Sequence, residues 1–451
     1  LPEQQTDQPS DMDPALRNRG IPLEGYAVVM ADGVHQFTLS YAGTVFHPIE
    51  QLGEEYARSF PVSPGIIAGE GSFLAGSSYW YPFFEDRLMT FSMEVELPAG
   101  WRAITQGRRT QRTDQAARIT ETWVSDQPQE EIYLVAGALT EYLETTDGID
   151  AMVLLRQPDP ALAKKYLEAT ARYLQMYQQL LGPYPYPKFA LVENFWETGY
   201  SMPSFTLLGP RVIRLPFILH SSYPHEILHN WWGNSVYVDY DSGNWSEGLT
   251  SYLADHLIRE QQGEGSEYRR ETLQKYTDYV RGHQDFPLSE FRGRHDSVTE
   301  AIGYGKTMML FHMLRRELGD ATFIEALRRF YQRHQFTVAG FDDLATVFSE
   351  VSGHTLAAFF EQWIQRSGAP ALRVYGAEAS PCKEGGSYTL TAVLEQVQAG
   401  PPWQFTLPMA VHMQGTAEAF QTSVLMDRKK QLLRLDVPAR PLRLDIDPEF
   451  D

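Results

Sequence analysis

The chain has 451 residues, 43% of them hydrophobic and 13% aromatic, and a formal net charge of −20 at pH 7. This composition is typical of a folded globular protein of about three domains, and the acidic excess disfavours nucleic acid and anionic membrane surfaces as partners because both carry negative charge. The one cysteine excludes an intramolecular disulfide framework and a cysteine-rich metal site, and the absence of any run of 18 or more apolar residues predicts no insertion into a membrane.

The first residues, Leu1 to about Pro14, are polar and rich in Gln, Asp and Pro, and the sequence does not begin with methionine. We expect residues 1–14 to be flexible. A start of this kind is typical of an exported protein whose signal peptide has been removed, which predicts a periplasmic or secreted location. A cytoplasmic location is the alternative.

The region from residue 25 to about residue 151 has short alternating segments separated by Gly, Pro and Asp. A period of two with frequent turn residues indicates β-strands. Examples are residues 36–41, 91–97 and 132–137. We therefore predict an all-β N-terminal domain over residues 1–150.

Two prolines, Pro158 and Pro160, end this β pattern and begin a helical one. Apolar side chains at helical spacing predict a helix over residues 161–181. Residues 189–194 then read as a strand. Beyond them, residues 151–369 are predicted to form a mostly helical domain.

A His-Glu-x-x-His motif follows a proline at Pro224 and consists of His225, Glu226 and His229. Residues four apart lie on one face of a helix, so both histidines can hold one metal ion while Glu226 lies beside them. A hydrolytic zinc site takes three protein ligands and leaves a fourth position for water. A third ligand is therefore expected at a short distance downstream.

The candidate third ligand is Glu247, near the start of a predicted helix that begins around Trp245. The sequence thus predicts one zinc ion per chain, held by His225, His229 and Glu247. A later predicted helix over residues 300–318 carries Tyr304. Further helices are predicted over residues 321–335, 344–351 and 356–366, with the acidic pair at 342–343 as the N-terminal cap of the second.

After Pro370 the pattern returns to strands separated by Gly and Pro turns. The predicted strands cover residues 372–375, 388–394, 405–407, 409–413 and 432–437. This predicts a small β-sandwich over residues 370–451. The whole chain is thus expected to be a multidomain α+β protein.

These motifs resemble the gluzincin metallopeptidases that include aminopeptidase N and leukotriene hydrolase. The resemblance covers about 190 residues in the expected order and also includes Trp232-Gly233-Asn234, Trp245-Ser246-Glu247-Gly248, Gly182-Pro183-Tyr184-Pro185, Tyr304-Gly305-Lys306-Thr307, and Trp363 with Gly368-Ala369-Pro370. It implies a thermolysin-like catalytic domain. It also implies that the fourth, helical domain of larger family members is missing.

Three departures from the family pattern stand out. Thr307 replaces a glycine, and 17 residues separate His229 from Glu247, one fewer than is usual in the family. In place of the Gly-x-Met-Glu-Asn element, whose glutamate holds the substrate's α-amine, the chain reads Gly199-Tyr200-Ser201-Met202-Pro203. The subsite candidates are therefore Gly199, Tyr200 and Met202, with Glu197, ahead of Glu193, as the nearby acid that replaces the missing one.

The resemblance implies a zinc metallopeptidase that hydrolyses short peptides and is aminopeptidase-like. Glu226 is expected to take the proton of a zinc-activated water and pass it to the leaving amine. Tyr304 is expected to donate a hydrogen bond to the developing oxyanion. The alternatives are a non-peptidase hydrolase and a peptide-binding protein on the same scaffold, and the second predicts loss of the ligands or the base, all of which are present.

Overall fold

The computed structural model describes residues 3–6, 22–25, 32–33, 35–51, 61–82, 87–282, 284–382 and 386–451, with backbone alone for 3–6, 22–25 and 51. Residues 1–2 and 7–14 of the stretch predicted to be flexible lie outside these ranges. None of the described helices is both long enough and apolar enough to cross a membrane.

The N-terminal part is built from strands, as predicted. They are Glu3–Thr6 (β1), Pro22–Gly25 (β2), Glu50–Gln51 (β3), Pro61–Val62 (β4), Gly65–Ala68 (β5), Gly71–Leu74 (β6), Met89–Pro98 (β7), Arg102–Ile104 (β8), Arg108–Asp114 (β9), Arg118–Gln129 (β10) and Leu134–Gly137 (β11). Two larger sheets have the orders β7-β10-β9 and β5-β6-β11-β8, and β1 with β2 and β3 with β4 form separate pairs.

The strand predicted over residues 36–41 is wrong. Residues 35–45 form no strand, and most of their side chains are exposed. The backbone first pairs with β5 at Val45 and Phe46: the carbonyl of Val45 accepts from the N–H of Ile67 at 3.0 Å, and Phe46 forms a single bridge with Ile66. An alternating pattern becomes a strand only where a partner shares its backbone hydrogen bonds, and residues 35–44 have no such partner among the described strands.

The described residues of the middle part form a mixed sheet, a separate pair of short strands and ten α-helices. Its elements are Thr140–Thr146 (β12), Ile149–Leu155 (β13), Pro160–Leu181 (α1), Lys188–Glu193 (β14), Gly199–Met202 (β15), Phe205–Leu208 (β16), Ser222–Leu228 (α2), Val236–Val238 (β17), Trp245–Ser251 (α3), Leu257–Gln261 (α4), Gly265–Tyr279 (α5), Ser297–Glu300 (α6), Thr307–Leu318 (α7), Asp320–His334 (α8), Thr337–Ala339 (β18), Phe341–Ser352 (α9) and Ala357–Gln365 (α10). Two π-helical turns, Tyr252–His256 and Ala301–Lys306, connect α3 to α4 and α6 to α7. The predicted helices are thus confirmed, but α9 begins earlier than predicted, so Asp342 and Asp343 lie in its first turn and Gly340 is the N-cap. Asp343 still stabilises this end, because its side chain accepts from the N–H of Gly340.

The mixed sheet has the order β12-β13-β14-β16-β15 and lies between two hydrophobic cores. Side chains of β13 alternate between them: Val153 belongs to the helical core, whereas Met152 and Leu154 belong to the core shared with the N-terminal strands. Burial on both faces explains the continuous apolar run of β13. The sheet begins at Thr140, before the domain boundary predicted at residue 150, because β12 pairs with β13.

The C-terminal part is a β-sandwich, as predicted. Its strands are Leu372–Pro381 (β19), Tyr388–Gln396 (β20), Phe405–Met413 (β21), Phe420–Met426 (β22), Lys430–Val437 (β23) and Pro441–Ile446 (β24), in two sheets of order β19-β20-β23 and β22-β21-β24. The strands predicted over 405–407 and 409–413 are one strand that continues through Pro408, and the sequence analysis missed β22 and β24.

The sandwich is joined to the helical part by Trp403. This side chain is buried and stacks on Trp363 of α10 with ring centroids 4.6 Å apart. The guanidinium of Arg366 lies over the Trp403 ring, 3.9 Å from its centroid. The C-terminal sandwich therefore shares the core that supports α10.

Candidate active site

Helix α2 positions the two histidines of the motif. Its apolar side chains Ile227 and Leu228 are fully buried in the helical core. His229 continues the helical conformation, because its N–H donates to the carbonyl of His225 at 3.1 Å. The two imidazole rings therefore lie on one face, with centroids 4.8 Å apart.

Helix α3 brings Glu247 to these histidines. The helix begins after Asn244, whose side chain accepts from the N–H of Ser246, so Glu247 lies in its first turn. The Oε2 atom of Glu247 is 3.4 Å from Nε2 of His225 and 3.4 Å from Nε2 of His229. The residue missing from the preceding loop, relative to the family, does not keep Glu247 from the histidines.

These three residues fit a tetrahedral zinc ion. Ligands about 2.0–2.1 Å from zinc at tetrahedral angles are separated by about 3.3–3.4 Å, which matches both nitrogen to oxygen distances. The Oε2 atom of Glu247 is buried without a hydrogen-bond partner among the described residues. Burial alone would raise the pKa of the Glu247 carboxyl, but His229 and His225 hold it below its usual range, so the ligand is ionised.

Each histidine is oriented through its second ring nitrogen. Nδ1 of His225 lies 3.0 Å from Oδ2 of Asp255, and Nδ1 of His229 lies 3.0 Å from the carbonyl oxygen of Trp232. Donation from Nδ1 leaves the lone pair of Nε2 for a metal. Burial would lower the pKa of His225, but the carboxylate of Asp255 outweighs it and the net pKa is raised. No motif in the sequence indicated Asp255.

The Trp232 carbonyl, which accepts from Nδ1 of His229, is positioned by the backbone turn at Gly233. This glycine has φ of +100°, a left-handed conformation that reverses the chain after Trp232. A Cβ atom there would lie 3.3 Å from Oγ of Ser246 and 3.6 Å from Nδ1 of His229. The conformation and close contacts of Gly233 thus explain the glycine in the Trp-Gly-Asn sequence that follows the motif.

Glu226 lies between the ligands and projects into the cavity that contains them. Burial raises the pKa of its carboxyl, against the opposing effect of His225 and His229. A carboxylate with a raised pKa is suited to accept a proton near neutral pH.

Tyr304 lies on the π-helical turn Ala301–Lys306 and faces the same cavity. Its ring is nearly parallel to that of His225, with centroids 6.4 Å apart and 16° between the planes. Burial keeps the pKa of Tyr304 well above its usual value, and the neighbouring Glu247 carboxylate adds to this effect. The hydroxyl therefore keeps its proton and can act as a hydrogen-bond donor.

Close approach of two helices holds Glu247 and Tyr304 together. A Cβ atom on Gly248 would lie 2.2 Å from Cβ and 2.3 Å from Cγ2 of Thr307, so only glycine fits at this contact. Thr307, which departs from the family pattern, thus packs directly on the residue after the third ligand.

A cavity of about 1000 Å³ opens over the site. It is lined by all five candidate residues His225, Glu226, His229, Glu247 and Tyr304. Gly199, Tyr200 and Ser201 of β15 also line it. Because β15 is an edge strand of the mixed sheet, one row of its backbone groups has no partner among the described strands, and such an edge can pair with an extended peptide.

The other residues predicted to bind substrate, Glu197, Glu193 and Met202, do not line the cavity. Oε1 of Glu197 accepts from the backbone N–H and Nε of Arg211 at 3.0 and 2.9 Å, and Glu193 is paired with Arg214 at 2.6 Å. Neither acid lines the cavity. Met202 is 2% exposed and belongs to the core shared with the N-terminal strands.

Lys306 and Asn230 have structural roles that the sequence did not indicate. Lys306 donates to the carbonyl of Arg366 at 2.8 Å and lies over the ring of Trp403, so it ties the Tyr304 turn to the sandwich. Asn230 accepts from the N–H of Ser204 at 2.7 Å. His220 and His256 do not line the cavity.

Comparison with known proteins points in the same direction. Residues 219–363 match the family model described as Peptidase family M1 domain. The alanine/arginine aminopeptidase of Saccharomyces cerevisiae is 24% identical over 269 residues, which cover 55% of this chain and 31% of that protein. The chain therefore spans about a third of the length of this curated relative.

Solved structures show the same fold. Aminopeptidase A from Legionella pneumophila, in complex with aspartic acid, matches with a TM-score of 0.67 and 18% identity over 86% of this chain and 47% of that chain. A mutant of the M1 zinc metallopeptidase from Deinococcus radiodurans matches with a TM-score of 0.52 and 20% identity over 62% of this chain and 65% of that chain. The Deinococcus radiodurans protein is described as a zinc metallopeptidase, and in this chain His225, His229 and Glu247 form a group that could hold a metal ion. Residues 219–363 of this chain form a peptidase family M1 domain.

Proposed function

We propose that the chain is a zinc-dependent metallopeptidase that hydrolyses short peptides, with His225, His229 and Glu247 as the zinc ligands. The observation that carries this proposal is the convergence of two imidazole nitrogens and one partnerless carboxylate oxygen at tetrahedral spacing in a cavity. When bound, zinc lowers the pKa of water and polarises a carbonyl group.

The side chains around the ligands supply the remaining chemistry. Glu226 removes a proton from the attacking water and returns it to the leaving amine. Tyr304, which stays protonated, donates a hydrogen bond to the oxyanion that develops on the substrate carbonyl. The open edge of β15 aligns the peptide by backbone hydrogen bonds, with Gly199 and Tyr200 at this wall of the cavity. A non-catalytic peptide-binding role has no support, because ligands and base are all retained.

A screen against blocked and unblocked fluorogenic peptides, with and without a chelator, tests the activity. Glu226→Gln should keep zinc because the residue is not a ligand, yet lose nearly all turnover because the amide accepts no proton from water. The matched control is Glu264→Gln, a change outside the cavity, which should leave turnover unaltered. Normal turnover in Glu226→Gln would contradict the proposal.

We further propose that the enzyme is aminopeptidase-like with a weakened requirement for a free N-terminus. A buried α-ammonium needs a nearby carboxylate to offset its desolvation, and Glu197 and Glu193 are both paired with arginines away from the cavity. One peptide compared with and without an N-terminal acetyl group should show kcat/KM values within about 10-fold. A preference for the free amine above about 10²-fold, worth about 2.7 kcal/mol, would overturn this proposal.

A further inference from the structure

Part of the cavity wall is basic, in contrast to the protein as a whole. Lys275, Arg292, Arg294 and His295 all line the cavity, although the chain carries a formal net charge of −20. Three of these four residues come from one short loop that precedes α6. Their concentration at the cavity is therefore a local feature and does not follow from the composition.

Arg292 is held in position by backbone groups. Its NH1 donates to the carbonyls of Ser289 at 2.6 Å and Phe291 at 3.2 Å, and its NH2 donates to the carbonyl of Asp241 at 3.3 Å. No ion pair joins it to a carboxylate of the described residues, whereas arginines elsewhere, such as Arg315 and Arg333, are ion-paired. Arg292 thus brings an uncompensated positive charge to the cavity.

The neighbouring charges do not cancel this one. Glu300 is shared between Lys275 at 3.6 Å and Arg294 at 3.5 Å, so one negative charge faces two positive charges. The other three carboxylates of the cavity lie at the two histidines: Glu247 contacts both of them, Asp255 contacts His225, and Glu226 follows His225 in α2. The loop side of the cavity is therefore net positive.

The basic loop is also close to the reacting groups. It leads through α6 directly into the turn that carries Tyr304, and Arg294 is near enough to Tyr304 to act electrostatically on its hydroxyl. A substrate that reaches Tyr304 therefore passes within range of these cations.

We infer that Arg292 and Arg294 bind a carboxylate of the substrate, either the C-terminal carboxylate of a short peptide or an acidic side chain. The inference rests on the proposed peptidase function and adds a substrate class to it. Guanidinium groups bind carboxylates by charge-assisted, often bidentate hydrogen bonds. A cavity that is lined by Arg292 and Arg294, and from which Glu193 and Glu197 are withdrawn by their own arginine partners, favours negative charge on the substrate.

Binding of four peptides to the zinc-loaded Glu226→Gln protein tests the inference without turnover. The peptides are Ala-Phe-Ala with a free carboxylate, Ala-Phe-Ala amide, Ala-Phe-Glu amide and Ala-Phe-Gln amide, measured by isothermal titration calorimetry. The peptide that carries the recognised carboxylate should bind about 10-fold or more tightly than its neutral partner. The first pair reports on the terminal carboxylate and the second pair on an acidic side chain.

The same ratios are then measured after Arg292→Gln, Arg294→Gln and Arg292→Lys. The two glutamine variants should reduce the preference to about 2-fold or less, whereas Arg292→Lys should keep part of it because the charge remains. Arg329→Gln, which changes an exposed arginine of α8 paired with Glu325, is the matched control and should keep the full preference. The ratio of the affinities of the charged and the neutral peptide, measured on one variant, does not depend on the folded fraction of that variant.

Equal binding within both pairs, no measurable binding of any peptide, or an unchanged preference in both glutamine variants would overturn the inference. Failure of the proposed peptidase function is a separate result. In that case the protein with Glu226 intact hydrolyses none of the peptides, while the Glu226→Gln protein still discriminates between charged and neutral ones.

Discussion

Nδ1 of His225 lies 3.0 Å from Oδ2 of Asp255, a residue eight positions after Glu247 on the same run of helical turns. The contact fixes which ring nitrogen of His225 faces Glu247 and raises the basicity of that nitrogen. The run of helical turns that carries Glu247 thus also orients the imidazole of His225.

Asp255→Asn should weaken zinc binding by about 10- to 100-fold while the fold is kept. The amide has the same shape as the carboxylate but lacks the charge that favours the histidine as a donor. Competition with a chromophoric chelator measures the affinity. Asp278→Asn, an exposed change on α5, is the control and should bind zinc like the wild type. Equal affinities in the two variants would show that Asp255 does not act on the metal site.

Tyr304→Phe should lower kcat by about 10²-fold or more, the scale expected when one oxyanion donor is removed. Zinc content and KM should change little because the ring and its packing remain. The measurement is steady-state kinetics on one peptide. Tyr240→Phe, which changes another tyrosine of the cavity, should alter kcat by less than about 3-fold. An unchanged kcat in Tyr304→Phe would assign Tyr304 a packing role only.

Gly248→Ala should lower the thermal stability and the zinc content together. The new methyl group would lie 2.2 Å from Cβ of Thr307, and overpacking of this kind costs about 1–3 kcal/mol. Adding Thr307→Gly, which restores the glycine of the family pattern, should recover part of both losses. Purely additive losses in the double variant, measured by Tm and metal analysis, would contradict the proposed contact.

Asp447→Asn should raise Tm at pH 8 more than at pH 4.5. Burial raises the pKa of Asp447 from 3.8 to about 6, so the folded state binds more protons than the unfolded state between these values. Stability from this group is therefore present below pH 3.8 and lost as the pH rises through 6. The gain at pH 8 is at most about 3 kcal/mol. Asp447 has φ of +51°, which Asn tolerates. A pH-independent shift of Tm would contradict this cause.

Local patterns in the sequence predicted the helix that carries His225 well. The helical spacing of His225 and His229 and the capped start of α3 depend on residues within a few positions of each other. The three-part architecture was predictable for the same reason, because period two and period 3.6 alternate in long blocks. The long helix α1 begins and ends within a residue of its predicted bounds.

Asp255 could not be found in this way. Eight residues of regular α-helix would rotate its side chain about 80° away from Glu247. The π-helical turn Tyr252–His256 has wider turns and reduces that rotation. No residue pattern at this position predicts a π-turn. The contact between Asp255 and His225 is therefore seen only in the structure.

The side-chain direction of Glu197 could not be predicted from the sequence either. Its proximity to Gly199 in the sequence suggested a substitute for the missing glutamate of the family. The carboxylate instead pairs with Arg211, 14 residues further on. The direction of the Glu197 side chain depends on a residue that is distant in the sequence. The spacing of residues around Glu197 does not predict which residue that is.

Zinc analysis of the wild type and of His229→Ala tests the central claim most directly. Inductively coupled plasma mass spectrometry of the purified proteins measures the metal, and far-UV circular dichroism compares the variant with chelator-treated wild type. The account predicts one zinc per chain in the wild type and a strong loss of zinc in His229→Ala, with the fold kept. Full retention of zinc in His229→Ala would contradict it.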